Sequence, residues 1–261
     1  MRNSAVRSPR TDWVRAQGAN ARRESGDRTG MLRHNGLGLR TDQFYRVPIL
    51  PSVCLYGPHN EWRFQNDLDV DTTNVWAEVN DNAGTGLGVQ DERGGVAKFT
   101  NDTGDNDFYY YVSKFEIARL NSSKDIWFYT RIRILDVSEA DWFVGLVARV
   151  SANDALFDAR VDSVGFYGAD GSANINTETS KDSSATQTAG EGTLVDDTFM
   201  DLAFHIVNTS TVEFFINNKY VGTHTDDLPD DTELAFAFGC RNGTTAANAM
   251  SIGRTIVKHD P

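Results

Sequence analysis

The stretches IWFYTRIRIL at 126–135 and WFVGLVARV at 142–150 decide the fold class. In the first, Arg131 and Arg133 fall on the face opposite Ile132 and Ile134, the two-residue period of a strand. The second is almost continuously apolar, which predicts a central strand covered on both faces. Working outward, NVWAEV at 74–79 and KFEIARL at 114–120 alternate in the same way. VAKFT at 96–100 and FYYYV at 108–112 are short and rich in β-formers. DSVGFYG at 162–168, ANINTE at 173–178, TFMDLAFHIV at 198–207, TVEFFIN at 211–217, KYVGTHT at 219–225, ELAFAFGC at 233–240 and MSIGRTIVK at 250–258 complete the set. Turn signals separate them: Gly168–Gly171, Asn208-Thr209-Ser210, Asn217-Asn218, Pro229-Asp230 and Asn242-Gly243. No segment sustains a helical period. A dozen or so short strands predict an antiparallel β-sandwich or barrel of about 200 residues.

Composition agrees with a folded body. Hydrophobic residues are 39% of 261 and aromatics 11%, too many for a disordered chain. No run approaches 18 apolar residues, so no membrane span is expected. Two cysteines, Cys54 and Cys240, exclude a disulfide scaffold and are expected to be free thiols. The net charge of −12 is unevenly placed. Ten Arg against Asp12, Glu24, Asp27 and Asp42 make residues 1–46 +6, and 15 bases against 33 acids make the remainder −18. The acidic body argues against nucleic acid as its ligand.

Residues 1–46 show no period and no continuous apolar core, so neither independent folding nor a secretory signal is expected. They read as an extended basic arm that docks on an acidic partner surface through Arg2, Arg7, Arg10, Arg15, Arg22, Arg23, Arg28, Arg33, Arg40 and Arg46. Trp13, Leu37, Leu39, Phe44 and Tyr45 would add buried contacts across subunit seams. Residues 47–61 carry Pro48, Pro51 and Pro58 and read as a stiff linker. Residues 62–261 are the sandwich.

Three stretches resemble the concanavalin A-like lectin/glucanase (laminin G-like) jelly roll. TVEFFINNKYVGTHT at 211–225 is similar to that family's F-x-V-N-G hairpin, with Asn218 where Gly is usual. LPDDTELAFAFGCRNG at 228–243 resembles the strand that follows it, and MSIGRTIVKH at 250–259 the last strand, which pairs near the first. The resemblance spans roughly residues 62–259 and implies an all-β antiparallel jelly-roll β-sandwich, which hosts many functions. DTTNVWAEVNDNAGTGLGVQDERGGVAKFTNDTGDND at 71–107 resembles structural proteins of tailed-phage virions. In phages such domains serve as capsid decoration (cement) proteins, head fibres or tail-fibre modules, and the expectation taken from the resemblance is a cement protein on the outer surface of a phage head, assembled in the host cytoplasm. Its partners would be the major capsid protein and other copies of itself, stapled by the arm.

Candidate chemistry is sparse. Asp67, Asp69 and Asp71 alternate, so on a strand they would share a face, and with Glu78 they match part of a calcium-loop spacing. Thr72, however, stands where that loop needs Gly. Calcium is therefore the one cofactor entertained. Catalytic members of the lectin/glucanase superfamily carry Glu-x-Asp-x-(x)-Glu on a strand; Glu139-Ala140-Asp141 starts that pattern, but no second Glu follows. The expectation is a chain that is not an enzyme. His205, in an apolar strand, reads as a packed or hydrogen-bonded His. The alternative function is a carbohydrate-binding adsorption module, its glycan sites in loops such as 101–107 and 180–193. The aromatics of 108–111 and 127–129 fall on both strand faces, one in the core and the other under a neighbouring chain or arm.

Overall fold

The computed structural model describes residues 59–81, 83–149, 155–158 and 160–259. The arm and most of the linker lie outside that range. Among the described residues sixteen strands, paired antiparallel throughout, form two sheets. They are β1 His59–Trp62, β2 Trp76–Asn80, β3 Thr85–Gln90, β4 Val96–Thr100, β5 Phe108–Ser113, β6 Ile126–Ile134, β7 Ala140–Ala148 and β8 Ser163–Gly168. The rest are β9 Asn174–Lys181, β10 Ser184–Thr193, β11 Met200–Val207, β12 Thr211–Ile216, β13 Lys219–His224, β14 Leu234–Asn242, β15 Ala249–Gly253 and β16 Thr255–His259. One sheet runs β13-β12-β11-β6-β15-β4-β3, with β16 joining β6 to β1, and has nine strands. The other runs β10-β9-β8-β7-β14-β5-β2 and has seven. This is the jelly-roll sandwich.

The alternation read from 126–135 sets the layers. Phe128, Ile132 and Ile134 are buried between the sheets, and Trp127, Tyr129, Arg131 and Arg133 lie on the outer face. Phe128 stacks on Phe204, its direct cross-strand partner, with ring centroids 4.5 Å apart. Trp76, Phe99, Phe166, Phe214, Phe236 and Phe238 extend this aromatic core. Each such burial is worth roughly 1.5–3 kcal/mol. β7 is covered on both faces, as its apolar run predicts: Trp142, Val144 and Leu146 point inward, Phe143 and Val147 outward. The β12–β13 turn places Asn217 and Asn218 at φ 49° and 66°, left-handed values that Asn tolerates where Gly is usual.

Several expectations are corrected. Residues 114–120 are not a strand: Ser113 Oγ donates to the Phe115 carbonyl, the chain bends, and only Ala118 bridges to Leu234. Thr85–Gly88, not read as a strand from the sequence, is part of edge strand β3. The C-terminal strand is two, β15 and β16, which pair with successive halves of β6 either side of Arg254. Part of the expected linker, His59–Glu61, is already strand, paired with β16, and Glu61 meets the Arg254 guanidinium.

One end of the sandwich is held by three asparagines. Asn242 Nδ2 donates to the Asp102 and Gly104 carbonyls, at 2.7 and 3.0 Å, while its Oδ1 accepts from Asn101 Nδ2 and the Asn248 amide. Asn248 Nδ2 donates in turn to the Asp136 and Glu139 carbonyls. Three turns are thereby tied to β14. Buried amides must be paired in this way, because an orphaned polar group costs roughly 1–3 kcal/mol.

Candidate functional site

The outer face of the seven-stranded sheet concentrates polar chemistry over an aromatic floor. Gly145 on β7 and Gly165 on β8 are direct cross-strand partners. A Cβ on Gly165 would lie 2.7 Å from the Phe143 ring, so the missing side chains let that ring lie flat across both strands. The Arg160 guanidinium stacks over this ring, 4.8 Å from its centroid, and over Tyr167 at 5.3 Å. Arg160 then pairs with Glu178 of β9: Nε donates to Oε1 at 2.6 Å and Nη2 to Oε2 at 2.8 Å. Ser163 Oγ donates to Oε1 at 2.7 Å and Gln187 Nε2 to Oε2 at 2.6 Å.

Both side chains of the pair are nearly sealed, Arg160 at 8% exposure and Glu178 at 3%. Burial alone pushes the Glu178 carboxyl up; donation from Arg160, Gln187 and Ser163 outweighs it and holds the group below its ordinary 4.5. All the acceptor sites of Glu178 are therefore committed, and it has no proton to give. The Tyr167 hydroxyl is pushed up, first by burial and then by the Glu178 charge. Tyr167 is half-buried, Gln187 is exposed, and Asn176 accepts from the Gly190 amide at the β9–β10 bulge.

The middle of the face is closed by the chain itself. A single helical turn, α1 Ala155–Asp158, sets Leu156 on Phe108, Tyr110, Phe143, Val147, Ala235 and Ala237, with Phe157 beside them. Below it Arg241 of β14 donates Nε and Nη2 to Asp141 Oδ2, at 3.0 and 2.8 Å, and both Nη groups to Asp158. Burial works against the Arg241 charge, and the two aspartates outweigh it and raise its pKa.

The sequence-predicted residues distribute as follows. Asp141 lies on this face, fully engaged by Arg241 and by the Asp170 amide, while Glu139 serves through its carbonyl, which accepts from Gly243 and Asn248. Asp67 and Asp69 lie in a 3-10 turn, Asp67–Val70, with Asp71 closing it. The shared strand face is thus corrected, because Asn66 caps the turn by accepting from Leu68. Asp69 accepts from the Gln65 amide and Asp71 from Thr73 and Asn74. Asn74 above all holds the Asp71 carboxyl below its ordinary range. No group of three His, Cys, Asp or Glu able to hold a metal occurs among the described residues.

The candidate glycan loop at 180–193 is corrected to strand: Ser184–Thr193 is β10, the edge of the sheet. Loop 101–107 is a loop, fixed by the asparagine network. His205 is hydrogen-bonded as expected, between Asp125 and Glu213 and stacked on Trp127. The outward rings of 108–111, Phe108 and Tyr110, are covered by the chain's own α1 and not by another chain. Cys240 is free and buried, its thiol pushed up by burial, and Cys54 lies outside the described residues. Every arm residue, Arg2 to Arg46 with Trp13, Leu37, Leu39, Phe44 and Tyr45, lies outside them too. Arg160, Glu178, Gln187 and Tyr167 were not anticipated; the available signal was a lone Glu in the otherwise uncharged strand NINTETS at 174–180.

No family model matches the sequence, and no curated protein matches it. Solved structures do. A prokaryotic β-1,3-1,4-glucanase (lichenase) from a mouse hindgut metagenome is 9% identical over 77% of this chain and 98% of its own, with a TM-score of 0.54. An endo-β-1,4-glucuronan lyase from the fungus Trichoderma reesei is 9% identical over 77% and 94%, with a TM-score of 0.51. The Emp46p carbohydrate recognition domain is 10% identical over 75% and 95%, with a TM-score of 0.50. At such identities the likeness establishes the fold alone, a jelly-roll β-sandwich. It also overturns the expectation that the chain is not an enzyme: these neighbours are mostly glucanases and lyases, so the fold points towards a possible enzyme and not away from one.

Proposed function

Starting from a concanavalin A-like jelly roll, we propose that this chain is a carbohydrate-recognising module that takes a glycan chain on the outer face of its seven-stranded sheet, over β8 to β10. The observation that carries this reading is half-buried Tyr167, beside Arg160 and on the same sheet face as Glu178 and exposed Gln187. Glycan sites need such a rigid ring for a sugar face and fixed polar groups beside it for hydroxyls. The structural neighbours named for glucans, glucuronan and carbohydrate recognition support the choice of ligand class. Because the arginines of this face are neutralised by Glu178, Asp141 and Asp158, the glycan is an uncharged one. The test is a panel of neutral β-glucans, measured for binding and, in parallel, for release of reducing ends. Binding lost in Tyr167→Ala supports the reading; a variant that binds as the wild type ends it.

A second reading rests on the charge partition. An arm of +6 on a body of −18 suits attachment to acidic surfaces, and in this reading the module would sit on a phage head, stapled to capsid protein and to copies of itself. Deleting residues 1–46 would then abolish capsid occupancy; full occupancy of the truncated chain would refute it.

A further inference from the structure

Away from that face, the bend at 116–119 forms a cleft of about 230 Å³ with Glu233 and His259. Its floor is rigid. The Ile117 and Ala118 amides both donate to the Leu234 carbonyl, at 2.8 and 3.1 Å, and the Leu234 amide returns to Ala118 at 2.7 Å. His259 Nε2 donates to the Ile117 carbonyl at 2.6 Å, which fixes the ring. The rim is charged and unspent. Glu116, Arg119 and Glu233 are exposed, and among the described residues none of the three side chains has a hydrogen-bond or ion-pair partner. Elsewhere the arginines of the outer faces are paired: Arg131, Arg133, Arg160 and Arg241 all meet carboxylates.

We propose that this cleft binds a dibasic amino acid, with its two ammonium groups on Glu116 and Glu233 and its carboxylate on Arg119. Charge matching selects the class. Two carboxylates and one guanidinium ask for two cations and one anion on a single molecule. Size agrees, since the volume falls below the roughly 300–1,000 Å³ of sites for drug-sized ligands and suits one amino acid. Ile117 and Ala118 offer an apolar base for the aliphatic stem.

L-lysine is the probe, titrated into the full chain and followed by the amide resonances of Ala118 and His259. Saturable shifts at both are expected. Nε-acetyl-lysine, which lacks the second ammonium, and cadaverine, which lacks the carboxylate, should each bind about fivefold more weakly. Glu116→Gln and Glu233→Gln should each weaken lysine about fivefold. Arg119→Gln should bring lysine down to cadaverine's affinity. Three results overturn the proposal: no saturable shift at Ala118 and His259, acetyl-lysine binding as tightly as lysine, or a Glu116→Gln/Glu233→Gln double variant that titrates as the wild type.

Discussion

Both outer faces of the sandwich set arginine on an aromatic ring and hand it a carboxylate, yet the two arrangements differ in kind. On the seven-stranded sheet Arg160 lies on Phe143 and reaches Glu178 through two hydrogen bonds, with 8% and 3% of the side chains exposed. On the nine-stranded sheet Arg131 and Arg133 stack on one Phe199 ring, at 4.4 and 4.5 Å, but Arg131 is 49% exposed and its contact with Asp201 is 3.8 Å. Coulomb attraction is screened in the second case and strong in the first. The difference teaches that one face is organised around a sealed charge pair, with Tyr167 and Gln187 as its open rim, whereas Arg131 on the other stands in a solvated contact.

Breaking the sealed pair should therefore produce the largest effect. Arg160→Ala leaves Glu178 charged, buried and unpaired, and should cost about 3–5 kcal/mol in urea unfolding. A loss below about 1 kcal/mol would mean that water reaches the pair and that the two faces are alike.

Acid should act next, in two separate steps. His224, buried among Thr177, Thr179 and Thr188, has its pKa lowered by burial, with the Glu178 charge opposing that. The unfolded chain takes up this proton first, so the stabilisation is complete above the ordinary 6.5 and declines as pH falls below it. Glu178 is also lowered, and its contribution, present above 4.5, is lost as pH falls through its folded value. Denaturant midpoints measured from pH 8 to 3 should show both declines. His224→Gln should remove only the upper one, and a profile that keeps it assigns that decline to another group.

The smallest effect belongs to the solvated Arg131 contact. Arg131→Ala should change stability by no more than about 1 kcal/mol, and less in high salt. A larger, salt-insensitive loss would show that the Phe199 stack is a built feature comparable to the Arg160 site.

The sandwich was legible wherever burial is one-sided or complete. Arg131 and Arg133 alternating with isoleucine, the apolar run of β7 and the Asn217-Asn218 turn each announce their structure. β10 was not legible, because SATQTAGEGT at an exposed edge needs no apolar alternation; it is held by its ladder to β9 and by Thr186 and Gln187. The alternation of KFEIARL misled, since the backbone of 117–118 is satisfied by Leu234 and the His259 side chain and not by a strand ladder. The site was hidden for a related reason. Nothing local says that Arg160 will fold over Phe143, 17 residues earlier, or that Gly145 and Gly165 will align beneath that ring; only the β7–β8 register does so.

Glycan titration compared between the faces bears most directly on the central claim, that the seven-stranded sheet carries the recognition surface. Wild type, Tyr167→Ala and Tyr220→Ala would be titrated with the same neutral β-glucan, Tyr220 being an exposed ring on the nine-stranded sheet. The account predicts a loss of about tenfold for Tyr167→Ala and none for Tyr220→Ala. Equal affinities for all three, or a loss confined to Tyr220→Ala, would contradict it.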